Sequence, residues 1–427
     1  METHLECRDR FNPSYVPSRL IDVGIRDLSG NFTVPRLIET KEYSGNPEHT
    51  KSKWQYITLS HCWGKSEHLE TRKENLDEMK IAIPLESMNK TYADAVRVAR
   101  GFQIQYLWID SLCIVQNSKN DWNEEASRMC FVYNNTAFNI AAVAATDGDD
   151  GFLSERLAVK LGHVIRLDGK KVVRTLWIRP CLRDSCVHRK DIKLSRFPLF
   201  GRAWVLQESI LAARTLAFCP VSMHFRCRVK QRSDQEPFND VDHLSVFNGF
   251  EHFTFHNLPT KSAICSEYVM DVWYRLLSTY STKEMSSRRD KLPAIGGLAF
   301  QVGSFTGDRY LAGLWEHNFP QALCWTTFKI SREYYVLPAS NTALYIAPSW
   351  SWASLSVPFG YSPVAFTGTE LLIPDLTSNY YPGKDGVDHT HKKSAKFRWE
   401  AQLLDTNIDF ISDCYGQVKA GYITLMG

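Results

Sequence analysis

No run of apolar residues in this 427-residue sequence reaches the length of a membrane span. The start, METHLECRDRF, is charged and has no apolar centre, so it does not read as a secretory leader. There is no phosphate-cradling GxxxxGK[ST] loop, no HExxH, no GxSxG and no dinucleotide GxGxxG. Those absences argue against P-loop NTPases, zinc proteases, α/β-hydrolases and ordinary dehydrogenases. Charge of one sign is scarce too. A net +3 gives no concentrated basic face, so no nucleic-acid partner is expected. The eleven cysteines are an odd number without a CxxC pair. Cys181, Cys186, His188, Cys219, His224 and Cys227 cluster in sequence, but without zinc-site spacing, so no metal is expected.

What is present is ordinary globular material: 44% hydrophobic and 12% aromatic residues. The length suggests two or three lobes. Cys62, Cys113, Cys130 and Cys324 lie in apolar runs and read as buried reduced thiols. The chain therefore reads as soluble and cytoplasmic, and the Asn-X-Thr triplets at Asn31, Asn89 and Asn134 as chance. Twelve tryptophans, several within short motifs, hint at packing around particular sites. No internal repeat is visible.

The segment from Trp108 to Ala145 organises the rest. The apolar run 106–109 stops at Asp110, and a second run, 137–144, closes the segment. Between them Trp122, Ala126, Met129, Val132 and Tyr133 recur at helical spacing. That reads as strand, helix, strand. Upstream, 56–59 reads as a strand ending in the turn Ser60-His61-Cys62-Trp63-Gly64. Thr91 reads as the cap of a helix over 92–102, with Tyr92, Ala95, Val96, Ala99 and Phe102 inward and Asp94, Arg97 and Arg100 outward. The order β-α-β-α-β implies a parallel sheet with right-handed crossovers, which places Ser60–Gly64 beside Asp110–Gln116 on one edge. The divisions expected are a β lead-in over 1–50, an α/β core over 51–230, a helical and loop extension over 231–345 and a β-rich segment over 346–427. The first holds two strands, 19–23 and 34–39. The third opens with a loop excursion, 230–260, then helices near 266–281 and 292–302 and a short one starting at 310–315. In the fourth, 366–395 has loop composition and 396–427 reads as two or three strands.

The blocks YITLSHCWG, TYADAVRVAR, YLWIDSLCIVQNSKNDWNEEASRMCFVYNNTAFNIAA and GRAWVLQESILAARTLAF resemble, in order, those of the fungal heterokaryon-incompatibility (HET) domain. RLIDVG, DKLPAIGGLA, YLAGLWEHNF and APSWSWASL are similar to segments that accompany it, so the resemblance covers most of the chain. HET proteins are often longer, and relatives usually continue past GYITLMG, so this chain is either complete or a shortened member. What the resemblance implies is incompatibility signalling, a cell-death response when unlike hyphae fuse. It also implies a fold similar to the Toll/interleukin-1 receptor (TIR) domain: a flavodoxin-like parallel α/β core, here with helical insertions and a β-rich carboxyl-terminal lobe. Some TIR domains hydrolyse NAD at the nicotinamide–ribose bond, with a glutamate on a helix after a tryptophan. Trp122 followed by Glu125 is similar to that arrangement.

Each candidate residue carries a plainer alternative. Glu125 is the candidate catalytic acid: a carboxylate near the ribose carbon stabilises the positive charge that grows as the bond breaks. Alternatively it is a first-turn helix acid paired with Arg128, while the adjacent Glu124 faces solvent. Asp110 and Ser111 end a strand at the ligand edge and suit hydrogen bonds to a ribose or amide, or simple capping of the loop. Cys113 is a nucleophile only with a base such as His61 beside it; otherwise it is a buried thiol. Ser60, His61, Trp63 and Gly64 suit a pocket wall, with Trp63 stacking on a base, or a core indole beside a glycine that permits positive φ. Trp204, Gln207 and Glu208 suit ligand contacts, or a structural group with Arg214 as the partner of the acid. The resulting expectation is NAD as substrate, with no cofactor required. Two rivals stand beside it: a non-enzymatic, self-associating scaffold, and a HET-like fold recruited to small-molecule biosynthesis.

Overall fold

The computed structural model describes Cys7 and residues 14–26, 29–43, 54–154, 159–167, 170–178, 197–220, 222–234, 263–317, 319–323, 325–327 and 345–355. It also describes 359–361, 365–367, 370–372, 402–410, Tyr415 and 417–426. The excursion expected at 230–260 and the loop expected at 366–395 lie mostly outside these residues, as do Cys181, Cys186, His188 and Cys324. The chain forms two compact units, Met1–Leu258 and Pro259–Gly427.

The first unit is a mixed α/β sheet. Its elements are β1 (Arg19–Asp22), β2 (Arg36–Glu39), β3 (Tyr56–Ser60), α1 (Leu76–Ile81), α2 (Lys90–Gly101), β4 (Tyr106–Trp108), α3 (Asp110–Cys113), α4 (Lys119–Asn135) and β5 (Asn139–Ala141). A hairpin of β6 (Val159–Leu167) and β7 (Lys170–Ile178) follows, then α5 (Pro198–Gly201), α6 (Ala203–Leu211), β8 (Arg214–Phe218), β9 (Met223–Cys227) and β10 (Gln231–Ser233). The central sheet runs β10-β9-β8-β5-β3-β4-β1-β2. Its middle, β8-β5-β3-β4, is parallel, and the pairs outside it are antiparallel. Counting only the parallel strands in chain order, the arrangement is 4-3-1-2, the order of flavodoxin-like sheets. The lead-in strands join this sheet through Ile21 opposite Leu107 rather than forming a separate layer.

The parallel strands are buried along their whole length, which is why they read as short, mostly apolar runs instead of alternating patterns. In and just after α2 three details differ from the sequence reading. The cap is Asn89, whose side chain accepts from Tyr92 N at 2.9 Å, so the helix begins two residues earlier than a Thr91 cap would place it. Asp94 faces inward at 1% exposure, because its carboxylate accepts from Phe152 N and Leu153 N and so ties the loop after β5 to the helix. Phe102, expected inside, is 46% exposed and lies on the flank of Phe138. The departures at Asp94 and Phe102 involve partners remote in sequence, which a helical periodicity cannot register.

In the second unit, α7 (Ala263–Tyr280) and α8 (Pro293–Thr306) fall where periodicity puts them. The segment 310–315 is not a helix. It is a tight antiparallel hairpin of β11 (Tyr310–Leu311) and β12 (Leu314–Trp315). The two residues between them, Ala312 and Gly313, both have positive φ, the geometry a two-residue hairpin turn demands. Ser351 Oγ donates to Ala312 O at 2.5 Å and Trp352 Nε1 to Gly313 O at 2.8 Å. The SWSW motif thus holds the turn from outside. Trp273, Tyr310, Trp315 and Tyr415 stack edge to face or tilted around it. The chain closes with an antiparallel pair, Gln402–Phe410 and Val418–Met426.

Candidate functional site

In an open parallel sheet the chain reverses its direction of travel once, and a crevice opens at the carboxyl ends of the two strands where it does so. Here those strands are β3 and β5. Chain travel goes from β3 outward to β4, then returns across β3 to β5 and on to β8. The residues at that rim are Ser60 and His61 from β3, Asp110 and Ser111 after β4, and the loop after Ala141. Helix α6 comes in from the rim towards the base of the sheet. Arg202, just before it, donates to His61 O.

Glu208, on the second turn of α6, is 5% exposed and shares a hydrogen bond with Ser60. Ser60 Oγ in turn accepts from Asn139 Nδ2 at 2.9 Å; its own proton has Glu208 as the nearer acceptor and Asn139 Oδ1, at 3.3 Å, as the farther one. The Tyr133 hydroxyl, which donates to Leu59 O at 3.4 Å, also lies against Glu208. Burial pushes the carboxyl up to about 7; nearby Asp110 adds to the rise, while Ser60, Arg202 and Tyr133 offset part of it. The acid therefore sits half ionised at neutral pH. A cation acting on it is Arg202; Arg214, the partner named from the sequence, lies on β8 and donates to Ala137 O.

A second group lies directly against the first. His61 Nδ1 faces Asp110 Oδ1 at 3.8 Å, and Trp63 Nε1 donates to Asp110 Oδ2 at 3.0 Å. His61 is fully enclosed, and burial lowers its imidazole to about 4, against the opposing pull of Asp110. It is neutral at physiological pH. Ser60, His61, Trp63, Asp110, Ser111 and Glu208 therefore meet at one rim. Trp204 meets Trp122 of α4 edge to face, with ring centres 6.3 Å apart. Gln207 is buried in α6.

Glu125 has a different neighbourhood. It is 2% exposed, and burial raises its carboxyl; Ser18, Arg19 and Arg128 act against that rise, and Asp121 adds to it. Arg128 lies 3.8 Å away, while Glu124 takes the closer contact with that arginine at 2.6 Å from an exposed position. Glu125 thus belongs with β1 and α4. Cys113 lies between the two groups. It is fully buried, and its thiol is pushed up to about 12, so it is not a ready thiolate.

Gly64 turns the chain at φ +71, and a Cβ there would land on the Asp147 carboxylate. That carboxylate accepts from Lys65 N, Ser66 N and Ser66 Oγ, which holds it well below the usual acid range. The latch fixes the loop carrying Trp63 to the loop after β5. Gly64→Ala is expected to cost about 1–3 kcal/mol through left-handed strain and loss of this latch, read as a lower urea midpoint.

Sequence reasoning passed over Tyr92, Tyr133, Asn139 and Arg202. Asn139 did carry a signal: it is a lone amide inside an apolar run, costly to bury without partners. The two tyrosines looked like ordinary inward positions of their helices.

Residues 56–208 match the family model described as heterokaryon incompatibility protein (HET). No curated protein and no solved structure matches the chain.

Proposed function

We propose, from the premise that residues 56–208 are a HET domain and the chain therefore of the fungal incompatibility type, that the domain signals cell death by cleaving NAD at the nicotinamide–ribose bond. The observation that carries this is the Glu208 carboxyl, buried at the reversal point of the parallel sheet and poised near neutrality. The reaction adds water to NAD and gives ADP-ribose, nicotinamide and a proton. Nicotinamide leaves as a neutral ring, so it needs no proton from the protein. What the step needs is a negative group near the ribose carbon as positive charge builds there. Ionised Glu208, desolvated and aimed by Ser60 and Tyr133, suits that role. Arg202 at the rim suits the pyrophosphate.

A tryptophan followed on a helix by a glutamate, the arrangement that a TIR-like enzyme would use, occurs twice: Trp122 with Glu125, and Trp204 with Glu208. The second pair is the one beside the rim. Glu125 remains the rival acid: it lies 3.8 Å from Arg128, its Oε2 is buried without a hydrogen-bond partner, and it stands apart from the Ser60–Glu208 group.

The test is nicotinamide release from NAD by the purified full-length protein. Turnover is expected to rise as pH passes through about 7, where Glu208 ionises. Glu208→Gln should lower it about 100- to 1000-fold, the usual cost of removing a charge-stabilising group. Glu125→Gln should cost less than about tenfold. Loss with Glu125→Gln alone would move the site to α4. No turnover at any protein concentration would remove the enzyme claim, and a double variant that still kills cells would leave self-association as the signalling route.

A further inference from the structure

Buried parallel strands are mostly apolar, and a polar side chain inside them needs a partner. The middle of this sheet holds a line of such side chains. Thr58 of β3 and Asn139 of β5 lie opposite each other in register, and Ser60 follows Thr58 on the same face of β3. Thr58, Ser60, Thr136 and Asn139 are each 2% exposed or less. Thr136 Oγ1 donates to Phe138 O at 2.9 Å and lies 3.4 Å from Thr58 Oγ1. Thr58 Oγ1 has a closer acceptor, Asn139 Oδ1 at 2.9 Å. That bond decides how the amide lies: its oxygen towards Thr58, its nitrogen towards Ser60. Asn139 Nδ2 then donates to Ser60 Oγ at 2.9 Å, and Ser60 Oγ donates to Glu208. The line has one polarity, from Thr58 to the acid.

A hydroxyl that accepts one hydrogen bond donates the next more strongly. The bond from Ser60 favours the ionised Glu208 carboxylate, against the effect of burial. An amide turned the other way would offer Ser60 its oxygen and draw the serine proton off the acid. We infer that Asn139, oriented by Thr58, is a positioning residue that directs the Ser60 proton at Glu208 and so favours the ionised acid. The other groups acting on Glu208 are Tyr133 from α4, Arg202 before α6 and Asp110 after β4, with Cys62 after β3 also within electrostatic reach. Thr58 and Asn139 are uncharged, and their hydrogen bonds reach the acid only through Ser60. That the aimed acid serves catalysis rests on the function proposed above; the polarity of the line does not.

Two measurements on the full-length protein test this. The first is infrared titration. The C=O stretch of protonated Glu208 is the band that Glu208→Gln removes, and its fading with rising pH gives the midpoint of ionisation. The parent midpoint should lie near 7. Asn139→Leu and Thr58→Val, both close in volume to the parent side chains, should each raise it by about half a pH unit, as expected for one weakened hydrogen bond to a carboxylate. Ser60→Ala should raise it by about one to two pH units, since the bond itself is gone. The second measurement is the pH profile of nicotinamide release. Asn139→Leu and Thr58→Val should each lower turnover at pH 7 about twofold, with the loss recovered at higher pH.

A purely structural clamp between β3 and β5 would lower the urea midpoints of the variants and leave the infrared midpoint where it was, which would overturn the inference. A shift in Asn139→Leu without one in Thr58→Val would reflect lost polarity around the acid and would overturn it too, as would an unmoved midpoint in Ser60→Ala. Should Asn139→Leu not fold, Thr58→Val decides. A shifted infrared midpoint without NAD cleavage would sink only the hydrolase reading; NAD cleavage with an unshifted midpoint would sink only this one.

Discussion

Glu208→Gln is expected to make the protein more stable at pH 8 and to change little at pH 5. The Glu208 carboxyl is raised in the folded state to about 7 from an ordinary value of 4.5. Between those values the folded chain holds a proton that the unfolded chain releases. Stability from this group is therefore full below the unfolded value, falls as pH rises through the window from 4.5 to about 7, and stays lost above it. The shift corresponds to at most about 3 kcal/mol. Glutamine keeps the shape, can accept from Ser60 through its amide oxygen and never ionises, so it escapes that penalty. Urea midpoints of parent and variant at the two pH values decide the matter. A variant weaker than the parent at pH 8 would mean that the buried charge is well compensated. The same substitution should lower the proposed activity about 100- to 1000-fold, so the stability cost and the chemistry would be traced to one carboxyl. His61 works in the opposite direction: its depressed value means stability present above about 6.5 is lost as pH falls towards 4.

Arg19→Met is expected to be the most damaging single change in the first unit, at about 3–5 kcal/mol. The guanidinium donates to Cys113 O at 2.8 Å, grips both oxygens of Asp121 and faces Glu39 at 3.6 Å. Asp121 also accepts from Val115 N at 2.8 Å, so this cation fixes the loop between α3 and α4 to the first strand. Methionine fills similar volume but leaves Asp121 and Glu125 in a desolvated setting without their main counter-charge. Arg19→Lys should recover only part of the loss, since an ammonium cannot reproduce the fork. A loss under about 1 kcal/mol in urea unfolding at pH 7 would show that water readily replaces the guanidinium.

Arg19 also shows where sequence reading ran out. The alternation of strands and helices from Tyr56 to Ala141 was legible because each element is local and strongly patterned. The parallel pairing followed from that alternation. The contacts of Arg19 with Cys113 and Asp121 span 94 and 102 residues, and no periodicity encodes them. Asp94 looked outward because a carboxylate on a helix usually is, and its two backbone donors arrive from 58 and 59 residues away. Residues 310–315 looked helical because Tyr310, Leu311, Leu314 and Trp315 fit that spacing. The positive φ at Ala312 was invisible, and only Gly313 hinted at a turn. At the rim, Ser60, His61, Asp110 and Glu208 could each be named as candidates. Which acid joined them depended on α6 crossing back over β3, a matter of topology.

That crossing has a consequence for synthesis. Ser60 and the acid it meets are 148 positions apart, with β3, β4 and β5 all made before α6. A ribosome therefore releases histidine, aspartate and the sheet carrying them well before it supplies the carboxyl that the proposed hydrolysis requires. For a protein whose output would harm its own cell, nascent and prematurely ended chains short of that helix are inert by construction.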